Sequence, residues 1–573
     1  MMPNESNPSS PASTPEQGFS DPNFVASHTQ DSALSSTQTS SEGTDGSASV
    51  GDAVATRRIE RPTYWLTRFV IMRLLGFVYL TAFLVAAHQI VPLVGHDGIL
   101  PADTFLERVA KHFGSVESGF KNLPSLFWWK LSDGWLEGVA WVGVGLSAVV
   151  MAGYANAIIL LILWGLYMSY IHVGQIWYSY GWETQLLETG FIAVFLCPLL
   201  DGRPFARSAP PLVVLWIYRW LIFRIMLGAG LIKIRGDECW RDLTALVYHY
   251  ETQPVPNPLS RLLHAAPVWF HKIGVLWNHF TELIVPWFGF WPKTVRNIAG
   301  LLMAGFMVTL ILSGNLSFLN WLTIIPCLAC VDDTVWRRLL PGWIVSRSEI
   351  AEVQRKTSRA PLIAGSLFAA VVAWFSVAPV RNLFSSQQAM NASFDPLHLV
   401  NTYGAFGTVG RERYEIVFEG NERTMSDSSE EWKEYSFKVK PGDPARRPPI
   451  ITPYHYRLDW QIWFVGIPST HRDLNTLPRP EHYPWVAKFM WKLLHNHQRT
   501  LSLLAHNPFP EKPPRYLRAL VYRYQFSPLT GSEADGSWWK RERVATWFPA
   551  VSIYSPELRQ FLQAFGLIVP GEE

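Results

Sequence analysis

An apolar run ending at Lys233 is followed within ten positions by Arg235, Asp237, Glu238, Arg241 and Asp242, and then by His249, Tyr250 and Glu251. Lys233 stands where a long aliphatic stem can carry an ammonium group from an apolar segment to its polar edge. Other ionisable and amide side chains lie inside apolar stretches: Arg219 and Arg224 in one, Asn278, His279 and Glu282 in another. A charge inside a membrane span costs several kcal/mol unless it faces protein or water. The sequence therefore calls for pairing between these two groups inside a bundle, either around a polar cavity or as ion pairs that fix helix packing. His279 and Glu282 are three apart and share a helix face. Together with His249, His264 and His271 they offer metal-type donors, but no tight ligand spacing such as HExxH is present, so no metal is expected. Cys327-x-x-Cys330 has the spacing of a redox pair and also reads as two small residues at the end of an apolar run. There is no Walker-type loop, no GxSxG and no nucleophile-plus-base spacing. No cofactor is expected.

These residues need a scaffold, and the scaffold is apolar. Of the 573 residues, 49% are apolar and 17% charged, with 27 Trp and a net charge of +3. No basic stripe suggests nucleic acid. Crossing a bilayer takes ~20 mostly apolar residues. Candidate spans are 67–87, 137–154, 155–172, 185–200, 212–234, 274–291, 297–314, 316–332 and 361–380, about nine in all. Residues 1–60 form a Ser/Thr-rich tail with too little apolar surface to order itself. Arg57, Arg58, Arg61 and Arg68 flank the first span and predict a cytoplasmic N-terminus. With nine spans, the basic loops 201–211, 292–296 and 333–360 return to the same side. The loop 235–273 and everything beyond 380 then face a lumen or periplasm.

Within that loop, Asp242 reads as the N-cap of a short helix. Pro254, Pro256 and Pro258 stiffen the stretch after that helix, so the loop is expected to be ordered. After residue 380 the texture changes. RYEIVFEG, EYSFKVK and RALVYRYQFS alternate apolar and polar residues as strands do. PWVAKFMWKLLHNHQRTLSLLAHN reads as an amphipathic helix. The fold expected is an α-helical polytopic membrane bundle over 61–380 followed by a soluble, strand-rich mixed α/β domain over 381–573. Asn391-Ala392-Ser393 is a glycosylation acceptor if it faces the lumen of the endoplasmic reticulum.

GAGLIKIRGDECWRDLTALVYHYETQPVPNPLS (228–260) and WFHKIGVLWNHFTELIVPWF (269–288) closely resemble the lipase maturation factor family. So do EYSFKVKPGDPARRPPIITPYHYRLDWQIWF (434–464), NPFPEKPPRYLRALVYRYQF (507–526) and WWKRERVATWFPAVSI (538–553). The resemblance covers roughly 61–555. It implies a multi-pass membrane protein of the endoplasmic reticulum, or of the inner membrane in a bacterium. It also implies a chaperone-like role in which secreted lipases, lipoprotein lipase among them, fold and assemble. Partners would then be secreted client proteins and membrane lipid, with no established catalysis. A shorter segment, AGLIKIRGDECW, is similar to vitamin K-dependent γ-carboxylase, where the lysine at the place of Lys233 is a catalytic base. Burial at a membrane boundary would depress such a pKa. A transporter built on Arg219, Arg224, His279 and Glu282 is a third reading, without the paired broken helices such proteins carry. On the first reading, the client face is expected at Arg235, Asp237, Trp240, Arg241, Asp242, His249, Tyr250, Glu251 and Asn257 of the loop. Arg446, Arg447, Tyr454, His455, Arg457, Asp459 and Trp460 of the C-terminal domain complete it.

Overall fold

The computed structural model describes residues 63–356, 358–423, 431–468, 476–530 and 536–568. The Ser/Thr-rich stretch 1–60 lies outside these residues. The polypeptide opens with α1 (Trp65–Val94), apolar on every side and buried along most of its length. Such a helix belongs in a bundle interior or a membrane. Its N-terminal amides would be orphans in apolar surroundings. Asp333, far along the chain, accepts from Trp65 N (2.8 Å), Leu66 N (3.0 Å) and Thr67 N (3.1 Å). Two short helices, α2 (Ala102–Phe113) and α3 (Val116–Asn122), lead to α4 (Asp133–Ala152). Ser132 caps the start of α4, and Gly153 ends it at φ +110°, in the left-handed region where only glycine sits without strain.

Among the described residues, five helices are long and apolar enough to cross a membrane: α1, α4, α7 (Leu212–Gly236), α12 (Lys293–Ser313) and the run Ala360–Phe384, which comprises α16 (Ala360–Phe375) and α17 (Val377–Phe384). The other four candidate spans take shorter or broken forms. Two are the short apolar helices α5 (Ala157–Val173) and α13 (Leu319–Leu328). A third is α6 (Gly181–Leu196), which carries Glu183 and Glu188. The fourth begins earlier than expected, as α11 (Val268–His279), then passes through a π turn at Phe280–Ile284 into a 3-10 stretch at Val285–Phe290. Pro286 has no N–H for the carbonyl four residues back, so a regular α-helix cannot run through it.

The loop after α7 is ordered, as expected, but its first helix start is displaced. Asp237, not Asp242, is the cap: it accepts from Cys239 N (3.1 Å) and opens α8 (Glu238–Arg241). Asp242 ends that turn, and Leu243 adopts φ +60° before α9 (Ala245–Thr252). The proline stretch leads to α10 (Pro258–His264). There Asn257 and Ser260 cap each other reciprocally, and Pro258 occupies the first turn, where its missing N–H costs nothing.

A helical hairpin, α14 (Asp333–Leu339) and α15 (Gly342–Val353), precedes α16. Beyond α17 comes the antiparallel sheet β2-β1-β5-β6, made of β1 (Arg413–Asn421), β2 (Lys433–Glu434), β5 (Tyr516–Phe526) and β6 (Trp539–Val551). Ile416 faces Val521 and Val417 faces Leu520. A small pair, β3 (Ser436–Phe437) with β4 (Leu504–His506), lies apart from it. β1 and β5 fall where alternation places them. β1 is nonetheless buried on both faces, because its charged residues are paired rather than solvated: Arg413 with Glu415, Arg518 with Glu419. The expected long helix over 484–507 is cut into α19 (Pro484–Leu494) and the turn α20 (Gln498–Leu501), following α18 (Arg457–Val465). Asn496 at φ +50° breaks the helix, and Leu504 leaves it to pair with Phe437. α19 is buried on nearly all sides, so it is a core helix instead of an amphipathic surface one. One apolar core runs from the bundle into this C-terminal region, for example from Trp177 to Trp485, whose rings meet edge-on at 5.0 Å.

Candidate functional site

Most of the residues singled out above lie along a seam where the polar ends of the bundle helices meet the chain beyond residue 385. Its deepest contact is built on YHYRLDW (454–460). Arg457 is fully buried. It pairs with Glu183 at 2.8 Å, and its backbone N–H donates to Gln89 Oε1 at 3.0 Å. Glu183 also accepts from Tyr167 Oη and from Trp182 Nε1. Gln89 Nε2 returns a bond to His455 O at 2.7 Å, and Tyr454 reaches Gln89 and His88. His455 stacks on Trp460, and both pack against Tyr180 and Trp182. Burial pushes His455 well below the ordinary imidazole range. Asp459 accepts from Val439 N (2.7 Å) and Lys440 N (3.1 Å), so α18 also fixes the bend that follows β3. Burial raises the Asp459 carboxyl, and these two amide donors oppose the shift.

A second contact lies in the bundle itself. Arg224 pairs with Glu188, and its Nη1 donates to Asn401 O at 2.6 Å. Glu188 also accepts from Asn401 N (3.0 Å) and Tyr403 Oη (2.7 Å). The pairing expected between Arg219 or Arg224 and His279 or Glu282 is thus not formed. Arg219 instead donates to Ala329 O and Tyr64 Oη, both at 3.0 Å. Glu282, in the π turn, pairs with Lys233 at 2.5 Å, while Asn278 Oδ1 accepts from Lys233 Nζ at 3.0 Å and the Trp240 ring lies 5.0 Å from that ammonium. His279 Nε2 meets Trp240 O at 2.9 Å. Each charged side chain in the bundle interior that the sequence flagged is therefore engaged, Arg224 and Lys233 in ion pairs and Arg219 with a carbonyl and a phenol. Sequence reasoning missed Glu183 and Glu188. An acid within an apolar run is the signal that finds them.

The loop contributes the third contact. Asp237 pairs with Arg411 at 2.8 Å and accepts from Val409 N at 3.1 Å. Burial raises the Asp237 carboxyl, but Arg411 and the backbone donors outweigh it and hold the group down at about 2. Trp240 Nε1 donates to Phe406 O, and the His249 ring packs edge-on against Phe406. Burial, reinforced by the Lys233 charge, lowers His249 to about 4. The Arg413 guanidinium reaches Glu251 O, Gln253 O and Pro254 O. The Glu251 carboxylate accepts from Phe526 N at 2.8 Å, with His264 Nε2 at 3.6 Å. Burial pushes Glu251 up to about 7 against the pull of that N–H and of Arg413. Asn257 Nδ2 donates to Leu312 O, and Tyr250 is buried beside His271.

The predicted client face therefore divides. Arg457, His455, Asp459, Trp460, Asp237, Trp240, His249, Tyr250, Glu251 and Asn257 are buried in the seam. Tyr454 and Arg446 are half-buried, Arg446 donating to Phe437 O at 2.7 Å. Arg235, Arg241, Asp242 and Arg447 are exposed. Asn391 is exposed as well, at φ +53°, with its Oδ1 accepting from Gly404 N. Among the described residues, no three His, Cys, Asp or Glu side chains converge as metal donors, and all four cysteines are buried and free.

Comparison with known proteins gives two domain matches: the lipase maturation factor transmembrane domain over residues 66–338 and the lipase maturation factor C-terminal domain over 399–549. Lipase maturation factor 1 of Bos taurus is 47% identical over 517 residues, 86% of this chain and 90% of the relative. The protein of that name in Homo sapiens is 45% identical over 542 residues, 91% of this chain and 94% of the relative. Lipase maturation factor 2 of Xenopus tropicalis is 29% identical over 608 residues, 86% and 83% of the two chains. No solved structure matches. Neither the Lys233–Glu282 pair nor these relatives support a carboxylase-like use of Lys233. With its apolar helices and its match over most of its length, this membrane protein belongs to the lipase maturation factor family.

Proposed function

We propose that this chain is a maturation factor for secreted client proteins, lipases by the names of its relatives, and that it acts from the membrane of the endoplasmic reticulum. The membrane part is 61–380, and the client-handling part is 381–573, in the lumen. The observation that carries the reading is the seam: a large C-terminal region is held against one end of a membrane bundle by buried ion pairs, as a platform for a partner would need. Nine passes fit the contacts better than five. Residues 63–67, 206–208, 296–297 and 332–356 meet at one end, through Asp333 on the α1 amides, Arg68 on Ala206 O and Ser208 O, and Arg296 on Asp332. Residues 89, 177, 183, 235, 253 and 315 meet the C-terminal region or its neighbours at the other, through Gln89, Glu183, Arg235 on Gln388, and Asn315 on Pro449 O. Each candidate span then runs from one end to the other, and an odd number sets the N-terminus opposite the C-terminal region, which on this reading is luminal.

On this reading the client touches what the seam leaves outside: Arg235, Arg241, Asp242 and Arg447. The test is secretion of active lipase from cells that lack their own maturation factor. The wild-type chain restores activity. Arg241→Glu with Arg447→Glu lowers it several-fold at unchanged protein level. Full rescue by that double variant would move the client face elsewhere, and failure of the wild-type chain to rescue any secreted lipase would reject the function.

A further inference from the structure

The end of the bundle away from the C-terminal region carries a surface of another kind. The hairpin α14–α15 is anchored there by Asp333 on the first amides of α1, by Arg296 on Asp332 at 3.3 Å, and by Lys356 N on Arg207 O at 2.8 Å. A 30-residue helix is about 45 Å long, so the two ends of α1 are a membrane thickness apart. α15 buries Ile344, Ser348 and Ala351, with Ile344 packed against Leu66 and Phe69 of α1. On the side turned away, Trp343 (61% exposed), Ile350 (56%) and Val353 (86%) form a stripe at i, i+7 and i+10, extended by Leu339 at the end of α14. None of the described residues covers this stripe. The acids of α15 do not balance its bases, because Glu349 (2.8 Å) and Glu352 (3.8 Å) are both taken by Arg337. Arg338, Arg347, Arg355, Lys356 and Arg359 are exposed and form no ion pair among the described residues. The Arg347 guanidinium lies 5.5 Å from the Trp343 ring centre, at the edge of the apolar stripe.

An apolar stripe bordered by unpaired cations, at the mouth of a bundle of membrane helices, is suited to a helix lying in the plane of a bilayer surface. Its apolar side chains enter the acyl boundary, and its cations stay at headgroup level. Each lysine or arginine so placed gains roughly 1 kcal/mol from an anionic leaflet and almost none from a zwitterionic one. We propose that α14–α15 is a docking surface for anionic phospholipid headgroups, seated on the leaflet opposite the C-terminal region. This inference rests on the chain crossing the membrane and is independent of what the client is.

The test uses the full chain in lipid nanodiscs, with a fluorophore on Val353→Cys; the native cysteines are all buried. Quenching is compared for spin-labelled phosphatidylserine and spin-labelled phosphatidylcholine, each as a minor component of a phosphatidylcholine disc. The proposal expects phosphatidylserine to quench about 3-fold or more beyond phosphatidylcholine. It also expects that preference to vanish in about 0.5 M salt, in line with screening of exposed charges, and in a variant with the five exposed cations changed to Gln. These positions are solvent-facing, and the same probe on Leu339→Cys serves as an independent reporter. Equal quenching by the two lipids would overturn the proposal and leave only a neutral membrane contact. No quenching by either lipid would overturn it too, showing that water or a protein covers the stripe.

Discussion

The two ends of the bundle use the same residue types for opposite purposes. At the seam, Arg457 and Arg413 are withdrawn from water and tied to Glu183 and Glu415, and half-buried Arg411 is tied to Asp237. At the α14–α15 end, Arg338, Arg347 and Arg355 stay in the open. Taking a charge out of water costs several kcal/mol, which only close pairing and added hydrogen bonds offset. A buried arginine therefore needs close acceptors, a carboxylate for Arg457 and Arg224 or carbonyl oxygens for Arg68 and for Arg219, which also meets Tyr64 Oη. Glu183 and Arg457 are separated by 274 positions and meet at 2.8 Å. In the deep seam charge is paired and structural, whereas on the outer face of α14–α15 it is left exposed.

Removing one side of a buried pair tests this contrast most severely. Arg457→Ala strands Glu183 and should cost about 3–5 kcal/mol, read as a lower Tm in detergent and faster proteolysis of the C-terminal region. A variant that unfolds like wild type would show the pair to be dispensable. Lys233→Met should destabilise by a similar but smaller amount, because Lys233 retains some exposure. Adding Glu282→Gln should recover much of the loss and restore lipase rescue, since the pair is structural. Activity that stays absent in a restored fold would point to chemistry at Lys233.

A smaller effect comes from Glu251. Its folded pKa is raised to about 7 from 4.5, so the folded chain binds the extra proton between those values. The carboxyl's contribution to stability is then full below pH 4.5 and is lost as pH rises through 7. Lowering pH from about 7.5 to about 5.5 should add about 2 kcal/mol through Glu251, opposed by buried His249, whose lowered value costs stability over the same range, so the gain is read as the difference in amide exchange at 245–264 and 522–527 between wild type and Glu251→Gln. In Glu251→Gln the opposing effects of His249, His264 and His271 remain, so that variant should weaken at this contact as pH falls. The smallest effect is expected of Arg347→Gln, within the ~0.5 kcal/mol of ordinary surface substitutions. A larger loss would mean that the exposed end is more than a partner surface.

Much of this architecture is legible in the sequence. Long apolar runs mark helices wherever packing is uniform, as in α1 and α12, and alternation finds β1 and β5. The shorter passages are harder. α13 and the broken segment after α11 depend on Pro326, Pro286 and packing against neighbours, which composition does not encode. The loop reads as ordered, and its proline stretch as stiff. Its cap is easily misplaced because Asp237 and Asp242 both precede short helical turns, and only the Leu243 backbone at φ +60° separates them. The candidate site is legible as a set of residues but not as a set of pairs. Arg224 finds Glu188 and Lys233 finds Glu282 through tertiary geometry. Motif resemblance draws Arg457 and Asp459 toward a surface role, whereas unusual polar residues also mark a buried joint.

The central claim is that the seam is one cooperative joint between bundle and C-terminal region. Amide hydrogen exchange on the full chain carrying Glu183→Gln tests it directly, because cooperative units open together. The account predicts that protection falls in concert at 177–190, 433–440 and 454–465, through Arg457 and then Asp459. Loss confined to 177–190, with 454–465 as protected as in wild type, would contradict it.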